Sequence, residues 1–279
     1  LRDNAGFATA GSPVAHIPRK RFGQHFLADP DVVDAIVRAI APAAGDAMVE
    51  IGPGLGALTA PLAGRLDHLH AVEIDRDVIA TLRRRFDAAR LTVHEGDALA
   101  FDFGALSDKL GRALRVVGNL PYNISTPILF HLAEFADRIV DGHFMLQKEV
   151  VERMVAEPGG KEYGRLSVML QYRFAMESLF EVPPEAFDPP PRVDSAIVRM
   201  IPRPASLRTA QDEALLARLV TQAFGQRRKV LRNTLKGVAD AATLEESGIS
   251  PGARAEEVPL AAYVDLANRL SAQAPPRVT

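Results

Sequence analysis

An α/β fold built on a mostly parallel sheet, followed by an all-helical region, is what this 279-residue sequence predicts. Three observations carry that prediction. Short apolar runs alternate with segments of helical spacing from Asp31 to Leu146. A glycine-rich turn, Gly52-Pro53-Gly54-Leu55-Gly56, joins the first apolar run to the next helix. From Asp212 to Asn268 the spacing is helical and contains no convincing strand.

The elements follow in order. Val32, Val33, Ile36, Val37 and Ile40 repeat with helical spacing behind Asp29 and Asp31, which suit a helix start. Ala47 to Ile51 reads as a buried strand that enters the glycine turn, and a helix runs from there through Leu66. Leu69 to Glu73 is the second strand, with a helix from Asp77 to about Ala88. Leu91 to Glu95 and Arg115 to Gly118 are the third and fourth strands. A helix follows Ser125, and His143 to Leu146 is the fifth strand. Lys148 to Met154 is helical, Glu157 to Lys161 is a loop, and Ser178 to Val182 and Ala196 to Ile201 are two late strands. The prolines at 183–184 and 189–191 between those strands are too stiff for helix or central strand. Pro202-Arg203-Pro204 reads as a linker. The expected organisation is therefore a flexible tail over residues 1–17, an α/β sheet domain over 18–203 and a helical domain over 204–279.

Composition limits the function classes. Hydrophobic residues are 47% and charged residues 24%, as in a soluble globular protein, and no apolar stretch approaches membrane-spanning length. The formal net charge is -2, so any nucleic-acid surface is a local patch. There is no cysteine, which excludes a disulfide framework, a thiol nucleophile and a thiolate metal site and fits a reducing cytoplasm. The histidines lack convincing ligand spacing, so no metal is expected. The first residues lack the charged start and apolar run of a secretory signal, and the missing initiator Met reads as a processed or truncated start.

Gly52, Gly54 and Gly56 permit a tight turn and close approach of a ligand to the backbone at a helix N-terminus. Glu73 ends the next strand about 20 residues on, where a ribose-binding carboxylate belongs. Gly52-x-Gly54-x-x-Ala57 also satisfies a loose dinucleotide pattern, so an NAD-dependent oxidoreductase is a rival. Against it stand Glu50, where a pyrophosphate would meet a like charge, and Asp97, a further carboxylate at the same sheet edge. S-adenosylmethionine carries cationic groups and no phosphate, and the acid series Glu50, Glu73 and Asp97 suits it better. Asp97 is placed to accept from an adenine amine, and equally to cap the next helix.

Asn119-Leu120-Pro121-Tyr122 follows the fourth strand. It offers a carboxamide acceptor, a fixed turn without a competing N–H, and an aromatic face. Acceptors aimed at the N–H bonds of an exocyclic base amine favour the pyramidal form that attacks an electrophile. A plain turn with a capping Asn fits the same four residues.

The ordered set Phe22-Gly23-Gln24-His25-Phe26-Leu27, Glu50 to Gly56, Glu73-Ile74-Asp75, Gly96-Asp97-Ala98, Asn119 to Tyr122 and Phe187-x-Pro189-x-Pro191-x-Val193-x-Ser195 resembles the ribosomal RNA adenine dimethyltransferases, nearest to their small-subunit branch. The resemblance runs from about Pro18 to Arg269 and includes Ala223 to Lys229. It implies a class I S-adenosylmethionine-dependent methyltransferase fold with a mostly parallel seven-stranded sheet. The implied reaction is N6,N6-dimethylation of two adjacent adenosines in the 3′-terminal hairpin loop of 16S rRNA, within a partly assembled small subunit. The implied cofactor contacts are His25, Leu27, Gly52, Gly54, Glu73, Asp97 and Asn119. Many relatives carry Asn where this chain has His25, which leaves that group's donor or acceptor role open.

In the reading this supports, the Asn119 side-chain oxygen and the Leu120 carbonyl accept the two N6 protons, Pro121 fixes the turn and Tyr122 stacks on the base. Phe187 either covers the other face or anchors the core. Loop adenosines are the cheapest to extract from a stack. Arg19, Lys20 and Arg21 form one basic cluster. Arg227, Arg228, Lys229, Arg232 and Lys236 form another, expected on a helix beginning near Leu215, where positions four apart share a face. Phosphate contact is the expected role. Two further alternatives are a large-subunit rRNA methyltransferase of the antibiotic-resistance type and a non-catalytic ribosome-assembly factor. A cytoplasmic monomer is the simplest expectation.

Overall fold

The computed structural model describes residues 25–273. The tail and the Arg19–Arg21 cluster lie outside the described residues, as do Phe22, Gly23 and Gln24 of the first motif. Strand β1 (Phe26–Leu27) leads into α1 (Pro30–Ile40), which starts cleanly because Asp29 accepts from the amides of Asp31 and Val32 and Pro30 occupies the first turn. Then come β2 (Met48–Ile51), α2 (Thr59–Arg65), β3 (Leu69–Glu73), α3 (Arg76–Arg85), β4 (Leu91–Glu95), α4 (Phe103–Leu110), β5 (Leu114–Asn119) and α5 (Ser125–Glu134). These are followed by β6 (Ile139–Gln147), α6 (Lys148–Val155), α7 (Arg165–Arg173), β7 (Phe174–Val182), β8 (Phe187–Asp188) and β9 (Ser195–Pro202). The helical region holds α8 (Glu213–Phe224), α9 (Leu231–Thr234), α10 (Ala241–Glu246) and α11 (Leu260–Gln273).

Seven strands form one sheet in the order β4-β3-β2-β5-β6-β9-β7. The first five are parallel, and β9 pairs antiparallel with both β6 and β7. The chain order reverses between β2 and β5, which opens a crevice at the C-terminal strand ends, where open α/β sheets bind ligands. The period-two alternation divides the core: Val49, Ile51, Val116 and Phe144 pack on one face, and Met48, Ala71, Val117 and Met145 on the other. By the same parity Glu50, Glu73 and Asn119 share one face of three adjacent strands. Gly118 is required there, because a Cβ at that position would stand 2.5 Å from the Ile51 carbonyl oxygen. Its absence lets β5 close on β2 and brings Asn119 beside the glycine turn.

A third core joins Val168 and Tyr172 of α7, and Tyr163 before it, to Leu216, Leu219, Leu231 and Tyr263 of the helical region. Helix α7 is thus shared, since its Leu166 and Leu170 belong to the sheet core. Among the described residues no helix is long and apolar enough to cross a membrane.

Two expectations change. Helices α4 and α7 join the expected set. The helix predicted from Leu215 through Lys236 is two: α8 stops at Phe224, a turn follows, and only the one-turn α9 continues. Gly225 is a poor helix residue. Beyond it, the Leu231 amide donates to the Ala253 carbonyl and Val230 bridges Arg254, which pulls the chain out of helical geometry.

Candidate active site

The crevice contains a cavity of about 300 Å³, at the lower end of the size range for small-molecule sites. Glu50, Gly52, Gly54, Glu73 and Asp97 line one side, and Asn119, Leu120, Pro121 and Tyr122 the other, with His25 and Leu27 also at the wall. The sequence-predicted residues therefore meet in one place, with the exceptions given below.

On the first side, Gly52 and Gly54 both have positive φ, 66° and 52°, which keeps the turn tight. A Cβ on Gly54 would press the Phe26 ring at 3.2 Å, so strand β1 closes over the turn only because this position is glycine. One Glu73 oxygen accepts from the amides of Ile74 and Asp75, each at 2.8 Å, and burial raises the carboxyl's pKa. Asp97 Oδ1 accepts from the Leu99 amide at 2.9 Å and closes a turn, whereas the next helix, α4, is capped by Asp102, so Asp97 is not a helix cap. It uses one oxygen and leaves the second for a ligand. Glu50 is 2% exposed, and its carboxylate accepts from the Thr59 hydroxyl at 2.7 Å. Burial raises its pKa to about 7, a change the Thr59 bond opposes and the neighbouring Glu73 charge adds to.

The chemistry of this donor set tests the cofactor. The lining holds three carboxylates and neither lysine nor arginine. A site for a pyrophosphate needs cations or free amides facing it. A site for a phosphate-free nucleoside with cationic groups needs acceptors, which are what these walls present. The residues fit S-adenosylmethionine.

On the second side, Asn119 Nδ2 donates to the His25 carbonyl at 3.2 Å. A carbonyl only accepts, so that bond fixes the amide orientation, and Oδ1 makes no hydrogen bond among the described residues. The Leu120 amide donates to the Met145 carbonyl at 3.1 Å, which sets the plane of the Asn119–Leu120 peptide. The Tyr122 hydroxyl lies 2.6 Å from Ser195 Oγ, and burial raises its pKa, so it remains a phenol at neutral pH. The His25 ring stacks on Tyr122 with centroids 5.8 Å apart and planes 27° from parallel. Its Nδ1 lies 2.9 Å from the Pro189 carbonyl and must donate there. In the neutral ring Nε2 is then the acceptor, and in the charged ring it is a second donor.

Phe187 does not line the cavity. It is 4% exposed, pairs with Leu27 across the β1–β8 ribbon and packs in the core with Val182 and Ile197. Of its two sequence readings the anchoring one matches this position. Sequence reasoning assigned no role to Ser195 or Pro189, although both stand in the motif that Phe187 opens. It also missed Thr59. The signal was present for Ser195: a hydroxyl at the first position of a mostly apolar strand.

The basic cluster divides. Arg227 is engaged: its Nε pairs with Glu256 at 2.6 Å and its Nη2 donates to the Lys161 carbonyl, tying the 157–161 loop to the helical region. Arg228 and Lys229 are exposed on the turn before α9, Arg232 on α9 and Lys236 on the turn after it, not on a single helix face.

The chain matches, over residues 15–272, the family model described as ribosomal RNA adenine dimethylase. It is 63% identical over 255 residues to the ribosomal RNA small subunit methyltransferase A of Chromobacterium violaceum, covering 91% of this chain and 96% of that one. It is also 63% identical over 260 residues to the protein of the same name from Aromatoleum aromaticum, covering 93% and 97%. Among solved structures it is similar to a dimethyladenosine transferase from Plasmodium falciparum, with a TM-score of 0.75 and 26% identity over 89% of this chain and 98% of that one. The 23S rRNA methyltransferase ErmE gives a TM-score of 0.66 and 25% identity over 88% and 99%.

Proposed function

The chain belongs to the ribosomal RNA adenine dimethylase family, and from that premise we propose how its own residues carry the reaction. The protein is an S-adenosylmethionine-dependent methyltransferase acting on N6 of adenosine in 16S rRNA. The cofactor supplies, when bound, an electrophilic methyl group on a sulfonium. Glu73 takes the ribose hydroxyls, Asp97 the adenine amine, and Glu50 balances the cationic end. Gly52 and Gly54 admit the ligand to the backbone, and His25 and Leu27 cover it.

Asn119 Oδ1 and the Leu120 carbonyl accept the two N6–H bonds of the target adenine and direct the nitrogen lone pair into the cavity. Tyr122 holds one face of the base. No strong general base is required, because the methylated ammonium is acidic enough to lose its proton to water. Positioning and preorganised acceptors supply the rate. The observation that carries this reading is the pairing, in one cavity, of a cation-free acidic wall with a carboxamide whose oxygen is left open by the His25 carbonyl.

The finer target is two adjacent adenosines in the 3′-terminal hairpin loop, presented by the small ribosomal subunit to a cytoplasmic monomer. Arg228, Lys229, Arg232 and Lys236 contact phosphates there, and Arg227 acts as a tether beside them. Two observations favour this over a large-subunit target: 63% identity to small-subunit enzymes against 25% to the 23S enzyme, and the exposed cations of the helical region. Incubation with labelled S-adenosylmethionine and undermethylated small subunits, followed by mapping, tests it. Two neighbouring adenosines with two methyls each are expected. Label confined to 23S rRNA, or a single methyl on each base, contradicts it.

A further inference from the structure

We propose that Ser195 is a positioning residue for methyl transfer, holding the ring of Tyr122 in the position the target base must meet. This inference rests on the role given to Tyr122 above and assigns what holds that residue in place.

Ser195 is 0% exposed and opens β9 between two neighbours, paired with Gln147 on one side and Val182 on the other. Its register is therefore fixed by two ladders. The adjoining peptide is pinned as well, since the Lys148 amide donates to the Asp194 carbonyl at 2.9 Å. From this rigid edge its hydroxyl meets a single partner among the described residues, the Tyr122 hydroxyl at 2.6 Å. The other end of Tyr122 is held too. Its carbonyl accepts from the Ser125 hydroxyl at 3.2 Å, and the Ile124 amide closes the turn on the Pro121 carbonyl at 3.1 Å. A ring fixed at its backbone and at its para oxygen cannot swing about χ1 without breaking one of these bonds, and the His25 ring stacked 5.8 Å away opposes rotation about χ2, which leaves the oxygen on its axis.

Stacking depends on that position. A base presented to a free ring must first order it, and each misorientation moves N6 away from Asn119 Oδ1 and the Leu120 carbonyl. The 187–195 segment supplies both restraints on the aromatic pair: Pro189 takes the His25 Nδ1–H, and Ser195 takes or gives the proton shared with Tyr122. Its contribution to the site is thus through these two polar contacts, with Phe187 anchoring the segment in the core.

The test is a double-mutant cycle of Ser195→Ala and Tyr122→Phe, read as kcat/KM for undermethylated small subunits and as S-adenosylmethionine Kd by calorimetry. Each single change removes the same hydrogen bond and is expected to lower kcat/KM about tenfold, the effect of one such bond. The double variant falls no further, and the cofactor Kd stays within about twofold. Wild-type kcat/KM in either single variant, or losses that multiply in the double, overturns the proposal. If Ser195→Ala does not fold, Tyr122→Phe alone decides by the same criterion. Tyr122→Ala separates the two levels. If it transfers normally, the stacking role itself fails. If it is inactive while Tyr122→Phe and Ser195→Ala are normal, only the lock is wrong.

Discussion

The two walls of the cavity are built in different ways. The cofactor wall is local: Glu73 is held by Ile74 and Asp75, Asp97 by Leu99, and Glu50 by Thr59 nine positions away. The base wall is assembled over distance: Asn119 is oriented by a carbonyl 94 positions earlier, Tyr122 by a hydroxyl 73 positions later, and His25 by a carbonyl 164 positions on. A wall made of strand ends and their own turns forms whenever the sheet forms. A wall made of long-range contacts exists only when the ribbon β1–β8 and strand β9 are seated. Binding and transfer should therefore come apart under substitution, and the ways of breaking each wall sharpen that contrast.

The largest effect is expected from Asn119→Ala. Loss of the side-chain acceptor should lower the rate of methyl transfer by roughly 10²–10³-fold, the range for removing one preorganised group at the reacting centre. Cofactor Kd, measured by isothermal titration, should move only a few-fold, and equal losses in both would show that the walls are not separable. Glu73→Gln should do the reverse. Charge-assisted bonds to the ribose are lost, so affinity falls about 10–100-fold while transfer at saturating cofactor is largely kept.

Glu50 gives a smaller, pH-dependent signature. Its folded pKa of about 7 lies above the ordinary 4.5. Its contribution to stability is thus fully present below about pH 4.5 and is lost as pH rises through 7. For a cationic ligand the sign is opposite, since the ionised carboxylate is the form that binds. Affinity should climb about tenfold per unit approaching pH 7 and level off above it. Glu50→Gln should flatten this profile, and a flat profile in the unaltered protein would contradict the assignment. The smallest effects lie away from the cavity. Arg228→Ala or Lys229→Ala should each reduce the salt slope of RNA binding by about one. Arg227→Ala should instead lower the melting temperature, because it cuts the link between Glu256 and the Lys161 carbonyl.

The same contrast explains how much of the molecule was legible in its sequence. Apolar alternation and the glycine turn marked the strands from 47 to 118, and the cofactor carboxylates stood at their ends, where a short-range pattern suffices. Helix α7 was missed because its buried residues serve two cores at once, so no single apolar stripe marks it. The break after Phe224 was missed because it depends on a bridge to Arg254, far along the chain. Ser195 could be quoted within a motif yet given no role, since its partner is identified by the closed sheet and not by spacing. Phe187, by contrast, attracted a role through its aromatic side chain, while its position beside Leu27 is a matter of tertiary packing.

The central claim is that Asn119 and Leu120 hold the amine that receives the methyl group. A structure of the protein with S-adenosylhomocysteine and the target hairpin RNA tests it most directly. The account predicts an extruded adenine against Tyr122, with N6 within hydrogen-bond distance of both Asn119 Oδ1 and the Leu120 carbonyl oxygen. An adenine seated in the cavity with N6 turned away from both atoms would contradict it.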